Sequence, residues 1–96
     1  MRKLGFENLG TLTQEKAEQL GLEFAPGVLV EDVRSGSVAF AKGLRPGTII
    51  TAVENQAVKN VQQLAQEIAK HDPREGILFK VRVDGVNDFL VLELPD

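Results

Sequence analysis

The stretch Gly36-Ser37-Val38-Ala39-Phe40-Ala41-Lys42-Gly43-Leu44-Arg45-Pro46-Gly47-Thr48-Ile49-Ile50 leaves the backbone few choices. Ser37 is placed to cap a short helix, because its hydroxyl can accept a backbone N–H two or three residues on. Val38, Ala39 and Ala41 sustain that helix, and Phe40 gives it one large apolar anchor. Gly43 stops it, since glycine takes the left-handed conformation that a helix end often needs. Arg45-Pro46-Gly47 is then a turn: proline presets φ and glycine tolerates a positive one. The β-branched run from Thr48 to Val53 follows as a buried strand. Any fold for this chain must accommodate a capped helix, a tight turn and a central strand in that order.

Upstream, Leu4-Gly5-Phe6 enters a strand expected over residues 4–9. Glycine at its centre either eases a bulge or lets consecutive backbone N–H groups point at one spot, an anion-binding nest. Arg2 and Lys3 either add charge beside it or belong to a solvated tail. Residues 11–21 read as a short helix, with Thr13 as its cap, Glu15 in the first turn, Gly21 at its end and Leu12, Ala17 and Leu20 on its apolar face. Ala25-Pro26-Gly27 is a turn into a strand over 28–33. Glu31 and Asp32 are adjacent on that strand and so point to opposite faces, which excludes them as a converging acid–base pair.

Glu54-Asn55-Gln56 turns the chain again, with Asn55 in the left-handed region, and Ala57-Val58 is a short extended piece. Asn60 caps the most regular helix, expected over 61–70, whose apolar residues Val61, Leu64, Ala65, Ile68 and Ala69 fall at helical spacing. Leu64 and Ala69 are expected in the core. Val61, Ala65 and Ile68 form a row that either joins the core or faces a groove. A hairpin closes the chain: a period-two strand over 77–83, the turn Asp84-Gly85, and a return strand expected over 89–94.

Composition removes several functions. A net charge of −3 argues against binding a phosphate backbone, and the five Phe are the only aromatic residues, which leaves no platform for base stacking. There is no Cys and one His, so neither a thiolate site nor a histidine-rich metal site can be assembled. His71 is more simply a surface residue at a helix end than a catalytic base, because Ser35 and Ser37, the only serines, are explained by turn and cap roles. Gly43 to Gly47 is no phosphate loop: it lacks the lysine after the second glycine and precedes a strand. No apolar run has membrane-spanning length, so no membrane insertion is expected. The first residues lack a signal-peptide core, which leaves a cytoplasmic chain or a domain of a longer one.

Gly36-Ser37, Ala39, Gly43-Leu44, Gly47 and Ile49-Ile50 together resemble the signature of bacterial PDZ domains. Val38 and Thr48 depart from it, where proline and aspartate are usual. Leu4-Gly5-Phe6 is similar to the carboxylate-binding loop of that family, with Lys3 in the place of a glycine, and Glu54-Asn55 replaces a usual Asn-Gly. The segment from Thr11 to Leu22 resembles an insert found in PDZ domains of HtrA-like (DegP-type) bacterial serine proteases. The resemblance covers nearly the whole chain. It implies an α/β (α+β) fold: a PDZ-like, partly open β-barrel or sandwich of five to six strands, with two main helices and a short inserted one, in the circularly permuted bacterial arrangement.

It further implies one PDZ domain over 1–96, excised from a longer protease, that itself has no catalytic residues and needs no cofactor. Such a domain binds C-terminal or extended apolar segments of peptides or unfolded proteins by strand addition, in the service of substrate recognition or regulation in protein quality control. The partner's carboxylate would lie at Lys3, Leu4, Gly5 and Phe6. Its backbone would run along Glu7, Asn8 and Leu9, opposite Val61, Ala65 and Ile68, with Leu4, Phe6 and Ile68 forming the pocket for its last side chain. A protease domain of the same chain is the implied second partner, and a periplasmic or other extracytoplasmic location follows through that parent. A PDZ domain of a site-2 metalloprotease or of a C-terminal processing protease, and a small stand-alone enzyme, remain the alternatives.

Overall fold

Ile49–Val53 is the strand on which the others assemble, and in the computed structural model, which describes residues 2–95, it pairs with three neighbours. In chain order the strands are β1 (Phe6–Thr11), β2 (Val28–Val33), β3 (Ile49–Val53), β4 (Gln56–Ala57), β5 (Ile77–Val83) and β6 (Val86–Leu92). The helices are α1 (Gln14–Leu20), α2 (Val38–Ala41) and α3 (Val61–Ala69), with single 3-10 turns at Arg2–Leu4 and Pro73–Glu75. The sheet runs β1-β2-β3-β5-β6 with β4 beside β3, and every pairing is antiparallel.

The caps act as their residue types dictate. Thr13 accepts from the N–H of Lys16 at 3.1 Å, Ser37 from that of Phe40 at 3.1 Å and Asn60 from that of Gln63 at 2.8 Å. After α2 the N–H of Gly43 bonds to Phe40 O and that of Leu44 to Ala39 O, the paired bonds of a Schellman ending, with Gly43 at φ +94°. Arg45-Pro46-Gly47-Thr48 closes with Thr48 N–H on Arg45 O and Gly47 at φ +100°, a type II turn.

Two apolar layers hold the sheet. The larger includes Leu4, Phe6, Val28, Val30, Ile50, Val53, Leu64, Ile68, Phe79 and Leu92, and α3 lies on that face. Leu12, Ala17, Leu29 and Ile49 form a second, smaller layer on the opposite face, beneath α1. Burial on both faces explains why Val28-Leu29-Val30 and Ile49-Ile50 read as continuous apolar runs rather than alternating ones.

The inserted helix α1 lies over Gln14–Leu20 with its Thr13 cap, as expected, and Thr11 before it ends β1. Three expectations need correction. Leu4 belongs to a 3-10 turn and β1 starts at Phe6, because Gly5 at φ +109° breaks the extended geometry. The return strand is Val86–Leu92, since the two-residue Asp84-Gly85 turn puts Val86 directly opposite Val83. Ala69 is exposed rather than core; α3 turns Leu64 and Ile68 inward and ends there.

Candidate functional site

The first turn of the chain is pinned from below. Gly5 is buried, its carbonyl accepts from Arg34 N–H at 2.8 Å, and a Cβ on it would land on the Ser37 side chain. A residue with a side chain would be strained by φ +109° as well as blocked. The loop before β1 is therefore held against the start of α2. Leu4 and Phe6, on either side, drop into the main core at 1% and 3% exposure. Lys3 is exposed beside them, and the Arg2 side chain lies outside the described residues.

β1 is one edge of the sheet, and its free side is the side α3 adjoins. The direction of its hydrogen-bonding groups follows from its neighbour. Val30 donates its N–H to Thr48 O at 2.8 Å and accepts from Gly47 N–H at 2.9 Å, so its backbone faces away from β1. Leu9 stands opposite Val30, in a pair that therefore exchanges no hydrogen bonds. The N–H and C=O of Leu9 point outward along the open edge. Before it, Phe6 pairs with Val33 and Asn8 with Asp32, so Glu7 is an extra residue, a bulge that bends the strand near the loop. Glu7 and Asn8 are exposed and Leu9 is half-buried.

The wall opposite is α3. Val61 and Ala65 are half-buried, and Ile68 is 8% exposed within the same core cluster as Leu4 and Phe6. The structure thus brings together the three residues expected to line a side-chain pocket, with their side chains closed against the core. At the far end Val61 N–H donates to Thr11 Oγ1 at 3.2 Å, tying the start of α3 to the end of β1, the two elements expected to border the peptide trough. Sequence reasoning missed Thr11: the contact spans fifty residues, and no local pattern signals it. It also missed Arg34, Ser37 and Ala39 as the supports of the loop, for the same reason.

The other candidates do not converge on chemistry. Glu31 pairs with Lys16 Nζ at 2.8 Å, while Asp32 accepts the N–H of its own neighbour Val33 at 3.0 Å. Ser37 is engaged as a helix cap and His71 lies past the end of α3. Among the described residues no three His, Cys, Asp or Glu side chains gather as a metal site. Cavities of about 540 Å³ and about 280 Å³ border α1 and the turn at Gly47, away from the β1–α3 trough.

Comparison with known proteins fits this geometry. A family model described as a PDZ domain matches residues 5–94. The chain is 37% identical over 89 residues to a probable periplasmic serine endoprotease, DegP-like, of Bartonella henselae, covering 85% of the chain and 18% of that protein. A protein of the same description from Chlamydia trachomatis is 35% identical over 94 residues, covering 97% of the chain and 18% of the relative. The chain thus spans about a fifth of the length of these relatives. Among solved structures, the HtrA-type protease AlgW with a decapeptide superposes with a TM-score of 0.81 at 30% identity, covering 97% of this chain and 29% of that one. The HtrA3 PDZ domain bound to a phage-derived ligand has the same fold, at a TM-score of 0.81 and 18% identity, with 94% and 82% covered.

Proposed function

The chain belongs to the PDZ domain family, homologous to the PDZ domains of DegP-like serine endoproteases, and from that premise we propose that it captures the C-terminal segments of peptides and unfolded proteins for a larger serine protease. The observation that carries this reading is the outward-facing backbone of Leu9 on an open edge beside α3. An extended peptide laid there gains strand hydrogen bonds whatever its sequence, and its alternate side chains meet Val61, Ala65 and Ile68.

The peptide's terminal carboxylate lies at the N–H groups of Leu4, Gly5 and Phe6, with the Lys3 ammonium nearby. Its backbone passes Glu7 and Asn8 to Leu9. Its last side chain enters between Leu4, Phe6 and Ile68, which must open by rotamer changes, a common adjustment at interfaces. The chain is one PDZ domain of a longer protein whose catalytic serine lies in a separate domain. The periplasmic relatives support an extracytoplasmic location for that longer protein.

Calorimetric titration tests the reading. A hexapeptide ending in a free-carboxylate valine should bind with a Kd on the order of 10 μM, as backbone pairing alone gives modest affinity. The same peptide amidated at its C-terminus should bind at least about tenfold more weakly. Equal binding of the two would reduce Leu4-Gly5-Phe6 to a strand entry.

A further inference from the structure

The outer face of the sheet is only half covered. α1 and its small apolar layer shield Leu29 and Ile49, but the remainder, built from β3, β5 and β6, carries Thr51, Lys80, Arg82, Asn87 and Phe89. These side chains alternate with Phe79, Val81, Leu90 and Leu92, which point the other way into the main core. They therefore stand on the face opposite α3 and the β1–α3 trough.

A cavity of about 350 Å³ opens there, beneath Ala25 and Pro26, and its charged lining is Lys59, Lys80 and Arg82, with no carboxylate. This concentration of positive charge belongs to a chain whose net charge is −3. Lys59 and Lys80 make no ion pair among the described residues; the Lys80 ammonium lies 5.9 Å from the Phe89 ring. Arg82 is recessed, with its side chain 22% exposed. It reaches Glu23 at 3.0 Å, but that carboxylate is 67% exposed, and the buried Arg82 Nε has no acceptor among the described residues. Beside the cavity the same face presents Phe89 and Val91, at 55% and 45% exposure.

We propose that this cavity is a second binding site, for a polypeptide segment that sets an aspartate or glutamate beside an apolar side chain. The carboxylate enters between Lys59, Lys80 and Arg82, which supply charge-assisted donors. The apolar neighbour covers Phe89 and Val91. The concave shape and the recessed guanidinium suit one side-chain carboxylate better than a plane of lipid headgroups.

The test uses a peptide that the trough cannot hold by its terminus: N-acetylated, C-amidated Glu-Glu-Ile-Glu-Glu-Ile, titrated into the chain with amide resonances observed by NMR. The amides of Thr51, Lys80, Arg82 and Asn87 should shift, with a Kd between roughly 0.1 and 1 mM that weakens several-fold between about 20 and 200 mM salt. The Gln-for-Glu peptide should not shift them. Lys59→Glu with Lys80→Glu should weaken the acidic peptide by about tenfold or more and leave the free-carboxylate valine peptide unaffected. Three results overturn the proposal: equal binding of the Glu and Gln peptides, shifts of equal size and affinity with inorganic phosphate alone, or binding to phosphatidylglycerol vesicles without binding to the peptide.

Discussion

Gly5 has no room for a side chain: a Cβ would collide with Ser37, and its φ of +109° disfavours one in any case. Gly5→Ala should destabilise the fold by about 2–4 kcal/mol, read as a lower denaturant midpoint, because strain and overpacking add. Stability unchanged within error would mean that the loop is not held as described. The turn at Glu54-Asn55 behaves differently. Both residues have positive φ, 48° and 66°, where glycine would be at ease. Asn55→Gly should stabilise by about 0.5–1 kcal/mol. Glu54→Gly should not, since the Glu54 carboxylate accepts from Leu78 N–H at 3.0 Å and that bond would be lost. Asp72 gives a pH signature. The Arg74 backbone N–H, then the Arg74 guanidinium, hold its carboxyl below the ordinary aspartate value. A lowered folded-state pKa means that its contribution is present above the unfolded value, about 3.9, and is lost as pH falls through the folded one. An NMR titration should find Asp72 protonating below the free-aspartate value, and Asp72→Asn should reduce the loss of stability in that acid range.

At the scale of elements, α3 depends on the residue that caps it, Asn60. Asn60→Ala removes the side-chain cap and should lower stability by about 1 kcal/mol in chemical denaturation. It should weaken trough ligands as well, because the start of α3 is also where Val61 N–H meets Thr11. Elements of this kind were legible in the sequence. Thr13, Ser37 and Asn60 are local signals with local partners, and β2, α1 and β5 start and stop where their turns dictate. What could not be read depends on distant residues. The outward-facing backbone of Leu9 depends on Val30 being bonded to Gly47 and Thr48 across the sheet. Ala69 fits the helical stripe as well as Leu64 does, yet the packing of α3 leaves it in solvent. The cation-lined cavity sets Lys59 against Lys80 and Arg82, some twenty residues further along the chain, so no short window of sequence contains it.

The whole molecule is a sheet with β1 at one edge and β6 at the other, and α3 packs beside β1. A peptide that joins β1 and α3 binds the folded chain and not the unfolded one, so its affinity appears as global stability. At a free concentration about a hundred times Kd it adds about 2.7 kcal/mol. For a domain of this length that is a rise in Tm of roughly 10–20 °C. The trough's chemistry decides which peptide produces it. Val61 begins α3, and in the proposed binding mode it would offer only an aliphatic side chain to the ligand residue two before the end. A threonine hydroxyl buried there has no acceptor from Val61, which costs about 1–2 kcal/mol, so a Thr-x-Val ending should bind about tenfold more weakly than Val-x-Val. Val61→His supplies a partner for the hydroxyl and should narrow or reverse that preference. Ile68→Asp should weaken both peptides by placing an unpaired charge beside Leu4 and Phe6. Melting curves with each peptide, at equal concentrations near the Kd of Val-x-Val, check the order. Identical shifts from both endings, unaltered in Val61→His, would mean that the stabilising ligand does not lie along α3.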